Sequence, residues 1–410
     1  MPTLKLGNNS LLTLPTRITT PSIHIQKDGD HWYVPLFSGS KGAVVQSGDY
    51  NYTLGGLKVG SYRAVIGREE AVVNIYVFAS VYTTWILTSK GELYCCGYNG
   101  EGQQGTGDTS NVLVFTKRAS NVKEVSCTYL VTWYVDNNNN LYGCGSNDYG
   151  NQGSGDNVDV LVFTKRASNV KKFSCSELTT WYIDNNNNLY GCGWNSYGQQ
   201  GSGTSGSSTN VLTFTKRASN VKEVSCTNNT TWYIDTSNNL YGCGSGNRGQ
   251  QGSGYPADVS TFTKRASNVK EVSCTNNTTW YIDNNNNLYG CGLNYGNQGS
   301  GNTSGVSTFT KRASNVKTVS CTDRTTWYID TSNNLYGCGS NSYEQQGSGD
   351  TTNVKTFTKR ASNVKEVSCS DYTTWYVDNN NNLYGCGNGY YGQQGSGDTT
   401  SIKTFTKRDL

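Results

Sequence analysis

One methionine, two histidines and five prolines are spread over 410 residues, and each scarcity removes a class of protein from consideration. Both histidines, His24 and His31, lie near the amino terminus, so the rest of the chain offers no imidazole for general acid–base chemistry or metal ligation. No phosphate-cradling loop is present, no nucleophile has a base nearby in sequence, and the carboxylates that recur do so singly at strand ends. The chain therefore reads as a non-enzyme with no cofactor. No apolar window approaches the roughly 18 residues of a membrane span, and Met1 to Gln26 holds no apolar run of signal-peptide length. A soluble protein, not exported by a signal peptide, is expected. Net charge is only +4, which by itself calls for neither a nucleic-acid nor a membrane partner.

What the chain has in abundance is glycine (48), tyrosine (29) and runs of asparagine, the makings of many short strands joined by tight turns. A chain of this length normally divides into several domains unless a repeat lets it grow. The repeat is marked by Trp85, Trp133, Trp181, Trp232, Trp280, Trp327 and Trp375, spaced 47 to 51 residues apart. The unit from Val221 reads VKEVSC, TNN, TTWYID, TSNN, LYGCG, SGNRGQQGSGYPADVS, TFTKRASN. Four runs rich in Val, Thr, Trp, Tyr, Ile and Phe alternate with clusters of Asn, Ser, Asp and Gly, which describes a four-stranded meander. So small a sheet cannot bury its own faces, and seven of them stacked about an axis make a β-propeller. The last unit stops at Phe405-Thr406-Lys407-Arg408, while Asn74 to Ala79 supplies the matching first strand ahead of Trp85, so every strand occurs seven times.

The stretches YGCGSNDYGNQGSG from Tyr142, YGCGWNSYGQQGSG from Tyr190 and YGCGNGYYGQQGSG from Tyr384 resemble the strand end and turn of the regulator of chromosome condensation repeat family. The resemblance spans about Val72 to Leu410 and recurs seven times. It implies an all-β, seven-bladed propeller of four-stranded blades. The family's Gly-x-x-His between the first two strands is replaced here by runs such as Thr227-Asn228-Asn229, so activity resting on that element does not carry over.

Residues 1–21, polar with scattered Leu, read as an extended leader, and 22–71 as a small β domain or arm, ahead of the propeller at 72–410. Within the arm, SIHIQ from Ser22, HWYVPLF from His31, YNYTL from Tyr50 and SYRAVIG from Ser61 are candidate strands, with Lys27-Asp28-Gly29-Asp30 as a turn. A leader and small module before a repetitive head is similar in layout to phage tail and fibre proteins. That likeness implies a virion or cell-surface appendage, with residues 1–71 as the virion anchor.

Cys127, Cys175, Cys226, Cys274, Cys321 and Cys369 end first strands; Cys96, Cys144, Cys192, Cys243, Cys291, Cys338 and Cys386 end third strands. The two in one blade are separated by an intervening strand, about 9–10 Å, beyond disulfide reach. They read as small buried thiols, and their spacing without histidine is not that of a metal site. The pairs from Lys117-Arg118 to Lys407-Arg408 form a basic ring, expected to be neutralised by strand-end aspartates such as Asp184 and Asp235, with nucleic acid an unlikely partner.

The units are near copies, so their disagreements carry information. These concentrate between the first and second strands and after the third, loops that share one end of an up-and-down meander. Along them stand Tyr82, Tyr98, Tyr129, Tyr149, Trp194, Tyr197, Arg248, Tyr255, Tyr295, Tyr343, Tyr372, Tyr390 and Tyr391. Aromatics and arginine dominate binding hot spots because they offer rigid contact area with a polar handle; drift in loops free of packing duties is the rival explanation. The functional expectation is a binding head whose varying face takes a receptor, glycan or partner protein. An intracellular protein-interaction module, similar to nucleotide-exchange or inhibitory propellers, is the alternative.

Overall fold

The computed structural model describes residues 75–79, 83–380, 382–389 and 400–408, together with six short strands before residue 64. The chain divides into two units, Met1–Asn74 and Ile75–Leu410. In the first, Thr3–Lys5, Leu11–Thr13 and Tyr62–Arg63 form one three-stranded sheet, and Gln26–Asp28, His31–Tyr33 and Val44–Gln46 form another. Asp28 pairs with His31, and the expected turn at Gly29-Asp30 lies outside the described residues. Of the expected strands, 50–54 lies outside the described residues, and the strand at Val44–Gln46 had no sequence signal.

The second unit is seven antiparallel four-stranded sheets, each made of consecutive strands, with the first blade opening at Ile75–Ala79 and the seventh closing at Ile402–Arg408. In the third blade the strands are Val170–Cys175, Thr179–Asp184, Leu189–Gly193 and Val211–Ala218. Register places Trp181 opposite Gly191, and a Cβ at Gly191 would stand 2.4 Å from the indole. The repeated Tyr-Gly-Cys-Gly is thus explained by the tryptophan it faces.

The core lies between blades. Trp181, Ile183 and Leu189 of one blade pack on Val221, Val224 and Tyr233 of the next, with Phe262 reaching in from the outer strand. The Trp181 and Phe262 rings meet edge to face at 5.8 Å, and Tyr233 stacks on Tyr241 at 4.8 Å. The same set recurs at five further joints, so each sheet is buried by its neighbours.

First strands are the innermost, since they touch each other from blade to blade. Ser174 and Cys226 meet at 3.3 Å, as do Cys175 and Ser126, and the pairs Ser225–Cys274, Ser273–Cys321 and Ser320–Cys369 meet at 3.2 Å. The third-strand thiols donate to carbonyls of the preceding blade, Cys243 to Gln199 O at 3.2 Å and Cys144 to Gln103 O at 3.2 Å. Among the described residues thirteen cysteines are free. Burial pushes the thiols of Cys226 and Cys369 up to about 11, so they stay protonated and serve as packing and weak donor groups.

Candidate functional site

The two ends of the propeller are built differently. At one end the second strand turns into the third through Asp and Asn. The Asp184 carboxylate accepts from Asn186 N at 2.9 Å, Asn188 N at 2.7 Å and Asn188 Nδ2 at 2.8 Å, while Asn187 takes φ 62°. Asp136, Asp235, Asp283, Asp330 and Asp378 repeat the arrangement. Lys264 and Lys407 of the basic ring act on Asp235 and Asp378 as the neutralisation reading expects, although the hydrogen bonds of these carboxylates go to their own turns. The carboxylates are occupied by their own turns, and Arg166, Arg217, Arg265, Arg312 and Arg360 are half-buried rather than displayed. Burial lowers the affinity of these guanidinium groups for their proton.

At the other end, buried amides hold the loops. In the third blade Asn195 Oδ1 accepts from Gln200 N at 2.9 Å, and its Nδ2 donates to Thr204 O at 3.1 Å. Gln199 reaches across the joint to donate to Asn228 O at 2.9 Å. The equivalent bridge recurs from Gln103 to Tyr129 O, Asn151 to Glu177 O, Gln250 to Asn276 O, Asn297 to Asp323 O and Gln345 to Asp371 O. This ties each third-to-fourth loop to the first-to-second loop of the next blade, so the two sets of varying loops share an end. Gly201 sits at φ 62° with the position of a Cβ 2.4 Å from Phe262, which makes glycine obligatory at that turn.

With their backbones fixed from beneath, the varying side chains meet across joints. Tyr98 stacks on Tyr129 with centroids 5.8 Å apart. Tyr149 lies 5.8 Å from Trp194, which lies 5.3 Å from Tyr197. Tyr343 and Tyr372 meet edge to face at 4.8 Å and are 42% and 48% exposed. Tyr295 and Tyr255 are exposed singly, at 51% and 72%, and Arg248 is exposed. Tyr82, Tyr390 and Tyr391 lie outside the described residues.

Around the axis the first-to-second loops enclose a mouth of about 370 Å³, whose lining includes Glu177, Asn228, Asn276, Asp323 and Asp371. Glu177 Oε2 accepts from Asn228 Nδ2 at 3.2 Å, and Asp323 Oδ1 from Asn277 N at 3.2 Å. The choice of aromatics and arginine passed over these polar residues. Their signal was positional: each is the middle residue of a loop whose flanks hardly change. One position is a conformational anomaly. Among the described residues, non-glycine positions with positive φ are asparagines except Glu344, at φ 65° where other blades have glycine, with Oε1 3.3 Å from Lys403 Nζ of the next blade.

Fold and site together define a repeat propeller with one structurally committed end and one open to variation. Residues 75–103 match the Regulator of chromosome condensation (RCC1) repeat. The fold of the chain is similar to that of Prp20p from Saccharomyces cerevisiae, at 16% identity and TM-score 0.65 over 79% of this chain and 87% of that one. Yeast RCC1 (Prp20) in complex with Kap60 gives 15% identity and TM-score 0.64 over 85% and 91%. Human WBSCR16 gives 15% and 0.62 over 76% and 89%. No curated protein matches the chain in sequence.

Proposed function

We propose that the protein is a non-enzymatic protein-interaction module that receives its partner on the varying end of the propeller. The observation that carries this reading is the clustering of aromatics on the varying loops, Tyr98 with Tyr129 and Tyr149 with Trp194 across joints, Trp194 with Tyr197 within one loop, and the exposed Tyr343 with Tyr372 across a joint, on loops held by buried amides. Pre-ordered aromatics lose little entropy on binding, which favours affinity. The fold relatives lend general support: Prp20p is described through its binding properties to Gsp1p and histones, and yeast RCC1 through its complex with Kap60. A protein partner is therefore taken before a glycan. The virion reading, and with it residues 1–71 as a leader and anchor, gains nothing from the propeller or from these relatives and is not pursued.

The test is placement of a photo-crosslinking residue at Tyr295 or Tyr372 on the varying end, and at Asn186 or Asn285 on the opposite end, in cells that make the protein. A crosslinked partner from the first pair only, lost in a Tyr149→Ala/Trp194→Ala/Tyr197→Ala variant that still folds, is the expected result. Crosslinks from the opposite end alone would overturn the assignment.

A further inference from the structure

The chemistry of the partner is written in the axial mouth, and this inference rests on the reading of that face as the binding surface. Three carboxylates, Glu177, Asp323 and Asp371, line the mouth, and among the described residues no lysine, arginine or histidine does. Three lining side chains also hold an oxygen without a hydrogen-bond partner, Asn228 Oδ1, Asn276 Oδ1 and Asp371 Oδ1, each shielded from solvent. All three are acceptors, and an unmet buried acceptor costs about 1–3 kcal/mol, which a donor entering the mouth recovers once the side chain turns toward it.

At the sixth joint Asp371 of the mouth is followed in the chain by Tyr372, which meets Tyr343 in an exposed corner. Two rings set at 76° offer a cation π density on the loop that also carries the Asp371 carboxylate.

We infer that the protein partner inserts a lysine or arginine side chain into this mouth, passing over the Tyr343–Tyr372 corner. A neutral or acidic segment would leave the carboxylates unpaired in a closed interface, which is heavily penalised.

Dye-labelled hexalysine, hexaarginine and hexaglutamate, titrated into the full chain at physiological salt and followed by fluorescence anisotropy, test this. The net charge of +4 gives no general attraction for a basic peptide. Binding of the two basic peptides only is expected. It should weaken at least tenfold in Glu177→Gln/Asp323→Asn/Asp371→Asn, fall severalfold in Tyr372→Ala, and hold in Asp156→Asn/Asp350→Asn, which removes exposed carboxylates away from the mouth. Absence of basic-peptide binding, or equal loss in both carboxylate variants, overturns the inference, as does displacement of hexalysine by millimolar calcium with no effect of Tyr372→Ala, the mark of a simple cation site. If the crosslinked partner is lost with the aromatic triple variant but kept with the mouth triple variant, the face stands as the binding surface and the cationic insertion falls.

Discussion

The Asp–Asn end and the aromatic end of the propeller are made by the same seven units, yet one is nearly constant and the other changes at every blade. At the Asp–Asn end the side chains that reach the surface are the ones that shape it: Asp184 and Asn188 are the turn, and altering either removes hydrogen bonds the backbone needs. At the aromatic end that duty falls to residues one layer down. Asn195, Gln199 and Gln200 are fully buried and fix the loops, leaving Trp194 and Tyr197 without a backbone to support. Variation is tolerated where structural work has been moved beneath the surface, and there a binding surface can differ from blade to blade.

That contrast can be broken in graded steps. The largest effect is expected at the joints that both ends depend on. Trp232→Ala should cost about 3–5 kcal/mol, read as a lower urea midpoint, whereas Trp194→Ala should cost less than about 1 kcal/mol; equal costs would deny that the varying face is free of packing duties. Next, Asp235→Ala strips three hydrogen bonds from one turn and should cost about 1–3 kcal/mol.

The same carboxylates set the acid response. Burial pushes Asp235 up, but hydrogen bonds from Asn239 and Ser237 outweigh it and hold the group below its usual value. Hydrogen bonding by Asn382 does the same for Asp378. A depressed folded-state value means the contribution is whole above the unfolded pKa, about 3.9, and is lost as pH falls through the folded value. The contribution of these aspartates should be level from about pH 7 to pH 5 and fall below about pH 4, so the acid loss is less steep in Asp235→Asn; an unchanged acid slope in that variant would assign the loss elsewhere. The smallest effect is expected at Glu344. Replacing it with the glycine of other blades relieves a left-handed backbone and removes a surface-side pair with Lys403, and should raise stability by about 0.5–1 kcal/mol. A loss would show that the ion pair outweighs the strain.

Legibility followed the same division. The blades were readable because each position in the repeat answers to one local demand: tryptophan against glycine, asparagine in a left-handed turn, alternating apolar residues on strands buried on both faces. The free thiols were readable from strand order alone. The basic pairs were legible in their lysines, which act on the strand-end aspartates, and not in their arginines, which the tertiary fold draws inward. The mouth residues were passed over because Glu177, Asn228, Asn276, Asp323 and Asp371 come from five different units, 47 to 51 residues apart.

Sequence alone determined the four strands of each blade, the seven-fold repeat, the closure by equal numbers of every strand and the end at which the blades differ, since all of these follow from periodicity and turn chemistry within about 50 residues. Only the tertiary structure decided which varying side chains become neighbours and what charge surrounds the axis. Those depend on contacts between blades, where a residue's partner is set by the stacking of separate sheets and not by its place in the unit.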